Sequence, residues 1–237
     1  MVGRWSLEPS IVVRIHAPKQ NLGSFTLNLL KGIQAGQPRC ENSMAKRIFI
    51  VHGWGGSPRN DWVPWAKREL EKRGYRVYAP EMPDTEHPKI KAWVTHLAKK
   101  VGEADKNTIL VGHSIGCQTI LRYLQTLPED RKVDKVILIA GWGGKLILDI
   151  EEEEEIAKPW LETPIDYASA RKKANLFIAI FSDNDPYVPL KENAELYKEK
   201  LGAKIIIEKR KGHFNEGYGI KKLPVLMKIL EWSTKGF

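Results

Sequence analysis

The sequence predicts an α/β protein, a three-layer α/β/α sandwich built on a mostly parallel sheet. From residue 44 onward, short β-rich apolar runs alternate with helical patterns long enough to serve as right-handed crossovers. The longest apolar runs, 136–140 and 176–181, have strand length, and no run approaches the roughly 18 residues of a membrane span. Of the 237 residues 42% are apolar and 28% charged, which supplies a core and excludes a disordered chain. Two cysteines are too few for a disulfide scaffold.

Each element has a local cause. Residues 47–51 are a β-rich run that ends in His52-Gly53. Over 61–73, Trp62, Trp65, Ala66 and Leu70 share a helical face, Pro64 falls in the first turn where no N–H is needed, and Gly74 stops the helix. A strand over 76–79 is closed by Pro80. The helix predicted over 89–101 places Ile90, Trp93, Val94, Leu97 and Val101 on one side. A buried strand over 108–111 leads into Gly112, followed by a helix over 114–127 and a strand over 135–140. Residues 141–175 interrupt the alternation with Gly143-Gly144, the acidic run Glu151 to Glu155, Pro159-Trp160 and a short helical pattern over 166–173. That stretch is shorter than the roughly 50 residues of an independent domain, so at most a minimal cap is expected. A strand over 176–181, a helix over 191–201, a strand over 204–208 and a last helix over about 223–232 complete six strands. Trp62, Trp65, Trp93 and Trp232 lie at helical spacing on apolar faces and read as core.

Residues 1–43 have little sustained period and a turn-prone Ala35-Gly36-Gln37-Pro38. The run Ile11-Val12-Val13 is cut by Arg14 before it reaches the length of a secretory h-region. The segment is expected to be an extension outside the fold, with organelle targeting the lesser alternative, and Met44 could itself be a start residue; the working domain is 44–237. Five bases against two acids in the extension account for +3 of the formal charge of +9, leaving +6 for the domain. That balance suggests a nucleic-acid or anionic-membrane partner only in the abstract. There is no zinc spacing and no aromatic-basic strip, and Glu151 to Glu155 would repel a phosphate backbone, so neither nucleic acid nor membrane is expected as partner. Cys117 reads as a small buried hydrophobe and Cys40 belongs to the extension, which fits a reducing, cytoplasmic setting.

The chemistry centres on Gly112-His113-Ser114-Ile115-Gly116, which follows a strand and opens a helix. A nucleophile elbow requires that context: the turn admits only small flanking residues and holds Ser114 strained and exposed at a helix N-terminus. A nucleophilic serine needs a base, and the base an orienting acid. Of six histidines, His16 lies in the extension, His87 and His96 flank a surface helix and read as solvated, His52 heads a glycine-rich turn, and the elbow should turn His113 away from the serine. His213, in the loop between the last strand and last helix, is the candidate base. The acid is expected in 182–189, where Asp185, displayed by Pro186, is preferred and Asp183 is read as a turn or supporting residue. His52-Gly53-Trp54-Gly55-Gly56 ends the first strand at the same sheet edge, so the backbone N–H groups of Trp54 and Ile115 are the candidate oxyanion hole. The Trp54 ring either lines an acyl pocket or packs. With no Gly-Lys-Ser/Thr, no spaced GxGxxG and no zinc spacing, neither a cofactor nor a metal is expected.

Four stretches, 52–57, 112–116, 182–189 and 212–214, together resemble the small α/β-hydrolases of the retinoblastoma-binding-protein-9 and YdeN group, from about Lys46 to the C-terminus. The resemblance implies an α/β-hydrolase fold with a minimal cap, a compact serine hydrolase with esterase-like activity on small substrates, and triad roles for Ser114, Asp185 and His213. The pocket-protein binding of one member would need a Leu-x-Cys-x-Glu segment, which is missing here, so that partner is not carried over. The expected function is hydrolysis of small esters, thioesters or activated amides through an acyl-enzyme, with a catalytically silent scaffold on the same fold as the alternative.

Overall fold

The computed structural model of the chain describes residues 45–231; the extension with Cys40, and Trp232, lie outside the described residues. Six strands, β1 (Arg47–Val51), β2 (Arg76–Tyr78), β3 (Thr108–His113), β4 (Val133–Ile139), β5 (Ala174–Ser182) and β6 (Lys204–Glu208), form one sheet in the order β2-β1-β3-β4-β5-β6. All five pairings are parallel, where a mostly parallel sheet was expected. The helices are α1 (Val63–Glu71), α2 (Ile90–Val101), α3 (Ile115–Gln125), α4 (Glu151–Glu162), α5 (Tyr167–Lys172), α6 (Leu190–Leu201) and α7 (Pro224–Leu230).

Side-chain alternation along the strands divides the core into two layers. Phe49, Val51, Leu110, Val136, Leu138, Ala179 and Phe181 pack with Trp93, Leu97, Ile120, Leu121 and Tyr197 on one face. Ile48, Ile50, Ile109, Val111, Ile137, Ile139, Ile178 and Ile180 pack with Trp62, Leu70, Leu226 and Ile229 on the other. Each such aliphatic side chain contributes about 1.5 to 3 kcal/mol of transfer free energy, and burial on both faces explains why the central strands read as unbroken apolar runs. Trp62 and Trp93 are fully buried, and Trp65 is half-buried against the second layer.

The chain leaves β1 for β2 on one side and returns to β3 on the other, so strand order reverses between β1 and β3. A crevice opens at the carboxyl ends of strands at such a reversal. The register Val51↔Gly112 brings the turn after β1 against the start of α3.

The interruption after β4 holds a helix that the sequence reading lacked. In α4, four glutamates occupy the first turn, where they complement the helix dipole, and Pro159 lies inside the helix near its end. Ala157 and Trp160 are buried, and the Trp160 indole N–H donates to the Pro88 carbonyl at 2.8 Å. Arg122 of α3 donates to the carbonyls of Trp160, Thr163 and Pro164 at 2.9, 2.7 and 3.2 Å, satisfying carbonyls in the last turn of α4 and just past its end. Asn193 of α6 accepts from the N–H groups of Gly143 and Gly144 and donates to the Lys145 carbonyl, which ties the start of the same segment to α6. His96, expected to be solvated, is half-buried, and its Nε2 has no hydrogen-bond partner.

Candidate active site

Ser114 joins β3 to α3 with φ 51° and ψ −120°, a conformation that side-chain-bearing residues avoid. Two backbone hydrogen bonds hold it there: its N–H donates to the Ile139 carbonyl at 2.9 Å, and its carbonyl accepts from Cys117 N–H at 2.9 Å. The flanking glycines have no substitute. A Cβ on Gly112 would stand 2.8 Å from the Cys117 nitrogen, and one on Gly116 would enter the Val51 carbonyl oxygen. Cys117 is fully buried, and burial pushes its thiol pKa well up, so it packs and stays protonated.

His213 lies in the loop after β6, and the loop after β5 holds it in place residue by residue. Ser182 Oγ accepts from Lys211 N–H at 3.0 Å, Asp183 Oδ1 from Arg210 N–H at 2.7 Å, and Asn184 Oδ1 from Gly212 N–H at 2.9 Å. The fourth side chain in the row, Asp185, faces His213 Nδ1 with its two oxygens at 2.9 and 3.1 Å. Its Oδ1 also accepts from the N–H groups of Tyr187 and Val188, and the carboxylate is 2% exposed. Asp183 thus secures the neighbouring loop, and Asp185 is the acid that meets the histidine. With Nδ1 paired to the carboxylate, Nε2 is the ring nitrogen left without a hydrogen-bond partner among the described residues. Ser114 and His213 line the same cavity without a hydrogen bond between them among the described residues; such contacts commonly tighten once substrate is bound.

His113 turns away from Ser114 and meets the His213 backbone: its Nε2 donates to the His213 carbonyl at 2.8 Å. Burial first, then the neighbouring His213, lowers its pKa to about 3, so the ring is neutral. His52 holds the turn after β1. Its Nδ1–H donates to the Gly53 carbonyl at 2.8 Å, and its Nε2 accepts from Met82 N–H at 3.1 Å. Burial keeps this imidazole below its usual pKa. Gly55 N–H donates to Thr85 and Gly56 N–H to Gly53, whereas the Trp54 and Ile115 N–H groups have no hydrogen-bond partner among the described residues. Trp54 is among the residues lining the cavity, and its indole N–H donates to the Glu86 carbonyl.

The cavity has a volume of about 310 Å³. Its lining joins Ser114, His213, Trp54 and Ile115 to residues outside the sequence candidates: Asp61, Glu86, Trp142, Leu146, Leu148, Glu153, Tyr187 and Asn215. Glu153 belongs to the acidic run Glu151 to Glu155, and that run was the signal the sequence offered for it. No group of three or more His, Cys, Asp or Glu among the described residues is disposed to hold a metal ion, and no described helix is long and apolar enough to cross a membrane.

The sequence profile of the serine hydrolase family matches residues 48–232, a span that takes in the elbow, the acid loop and the histidine loop. The chain belongs to the serine hydrolase family. Among the relatives of this hydrolase, YdeN of Bacillus subtilis (strain 168) is 29% identical over 187 residues, which cover 79% of this chain and 95% of YdeN. Serine hydrolase RBBP9 of Rattus norvegicus is 28% identical over 171 residues, 71% of this chain and 87% of its own length. The crystal structure of YdeN superposes with a TM-score of 0.72 at 27% identity over 78% of this hydrolase and 97% of YdeN. Est1E from Butyrivibrio proteoclasticus, solved with ferulic acid bound, shares only the fold, at 14% identity and a TM-score of 0.60, covering 82% of this chain and 93% of its own.

Proposed function

We propose that this hydrolase is carboxylesterase-like and cleaves small esters, thioesters or activated amides through an acyl-enzyme on Ser114, with Asp185 and His213 completing the triad. The observation that carries the reading is the Asp185–His213 pair, at 2.9 Å, opening into the cavity that holds the strained Ser114. Ser114 Oγ attacks the carbonyl carbon while His213 Nε2 takes the hydroxyl proton, and Asp185 fixes the tautomer and stabilises the imidazolium. The Trp54 and Ile115 N–H groups bind the oxyanion, each such donor being worth about 3 kcal/mol in the transition state. The intermediate collapses as the leaving alcohol, thiol or amine takes the proton from Nε2. Water then attacks the ester on Ser114 with Nε2 as base, and the carboxylic acid departs as Ser114 regains its proton.

A silent scaffold on the same fold would need a blocked pocket, and the roughly 310 Å³ of open space at Ser114 speaks for the enzyme. Fluorophosphonate labelling tests the reading directly. Wild type is expected to label at Ser114 and Ser114→Ala to remain unlabelled; folded wild type that fails to label would overturn it.

A further inference from the structure

The charge around this cavity opposes that of the chain. The chain carries a formal +9, yet the cavity is lined by Asp61, Glu86 and Glu153 and by no lysine or arginine among the described residues. The three carboxylates come from separate parts of the fold, so they are not one solvated run that happens to pass nearby. Asp61 precedes α1 with φ 57° and is half-buried; one of its oxygens accepts from Glu216 N–H at 2.8 Å, and its charge bears on His213. Glu86 lies over the glycine turn after β1, both its carboxylate oxygens 3.7 Å from where a Cβ on Gly55 would stand. Glu153 lines the cavity from α4, and its charge, with that of Asp149, bears on Tyr187.

Two further observations point to a ligand. Trp54 and Tyr187, both only partly buried, are aromatic residues of the same lining, and aromatic rings attract cations. Asn215, also in the lining, has a buried Oδ1 with no hydrogen-bond partner among the described residues, a polar atom left unsatisfied beside the site. Resting on the serine-hydrolase reading of this site, we propose that its preferred substrates carry a positively charged group, such as an ammonium, beside the ester, thioester or amide carbonyl. Acidic walls in a partly water-excluded cleft raise the local concentration of cations and repel anions. They also repel the carboxylate that hydrolysis produces.

Three p-nitrophenyl esters test this at about pH 8, where carboxylates are ionised. One carries 4-(trimethylammonio)butanoate, one its neutral isostere 5,5-dimethylhexanoate, and one glutarate with its free carboxylate. Each kcat/KM is divided by the rate constant for hydroxide hydrolysis of the same ester, which removes intrinsic reactivity. The expected order is cation over neutral over anion, with the cationic ester favoured by roughly tenfold or more at low salt and the preference shrinking toward about 0.5 M NaCl. Glu153→Gln and Asp61→Asn should each lower the cation-to-neutral ratio severalfold; in the second variant the side-chain amide oxygen can still accept from Glu216 N–H. Turnover of the neutral ester with no preference for the cation, or a preference that neither variant alters, would overturn the proposal and leave the hydrolase standing. If no ester is turned over and fluorophosphonate fails to label, the hydrolase reading falls as well.

Discussion

Asp183 and Asp185 stand two positions apart on one loop and have different work. Asp183 holds the Arg210 backbone, and Asp185 holds the His213 ring. Asp185→Asn should therefore lower kcat on p-nitrophenyl acetate by about 10⁴, the effect of presenting the wrong tautomer, whereas Asp183→Asn, which can still accept from Arg210, should lose less than tenfold. Asp185 was legible because a proline follows it and a strand precedes it. Ser182 and Asn184 were not, since their value lies in backbone groups nearly thirty positions away that no local pattern reveals. His113 was legible only in part: the elbow dictates that its side chain turns from the serine, but its partner, the His213 carbonyl, lies 100 residues on.

The strands were the most legible elements. β1 and β6 have the bounds that their apolar runs suggest, whereas sheet pairing carries β3 two residues past the end of its run, starts β4 two residues earlier and ends it one residue sooner, and extends β5 by two residues at its start and one at its end. α4 was hidden by its composition. Five consecutive glutamates resemble a solvated loop and Pro159 resembles a stop, yet Trp160 and Ala157 bury one side of a helix. What secures that helix lies outside it, in the guanidinium of Arg122 on α3. Arg122→Met keeps the stem and removes the donors to three carbonyls, so it should destabilise the fold by about 2 to 3 kcal/mol, read as a lower urea midpoint. Because α4 carries Glu153 and follows Leu146 and Leu148, the same variant should also raise KM for small esters.

For the whole molecule, the buried imidazoles set the response to acid. His113 titrates near 3 in the fold against 6.5 in an unfolded chain, and His52 is likewise lowered by burial. The unfolded chain therefore takes up protons that the fold refuses. Stability is fully present above about pH 6.5 and falls as pH drops toward 3, by about 1.4 kcal/mol per pH unit for each proton in play. Urea unfolding at pH 7 and pH 5 should show the wild type losing about 2 kcal/mol through His113 alone. His113→Gln, whose amide can still donate to the His213 carbonyl, should show a shallower loss whatever its stability at pH 7. An equal slope in both proteins would rule out His113 as the source.

The row of four side chains, Ser182 to Asp185, grips four consecutive residues, Arg210 to His213. The loop after β6 is therefore measured against the loop after β5 like a key against its wards. Removing or inserting one residue between Glu208 and His213 would bring the wrong backbone groups to all three anchors and the wrong side chain to Asp185. The two loops form one heritable unit: transplanted together onto another parallel sheet they would carry the histidine with its register intact, and transplanted singly they would deliver an imidazole with no fixed address.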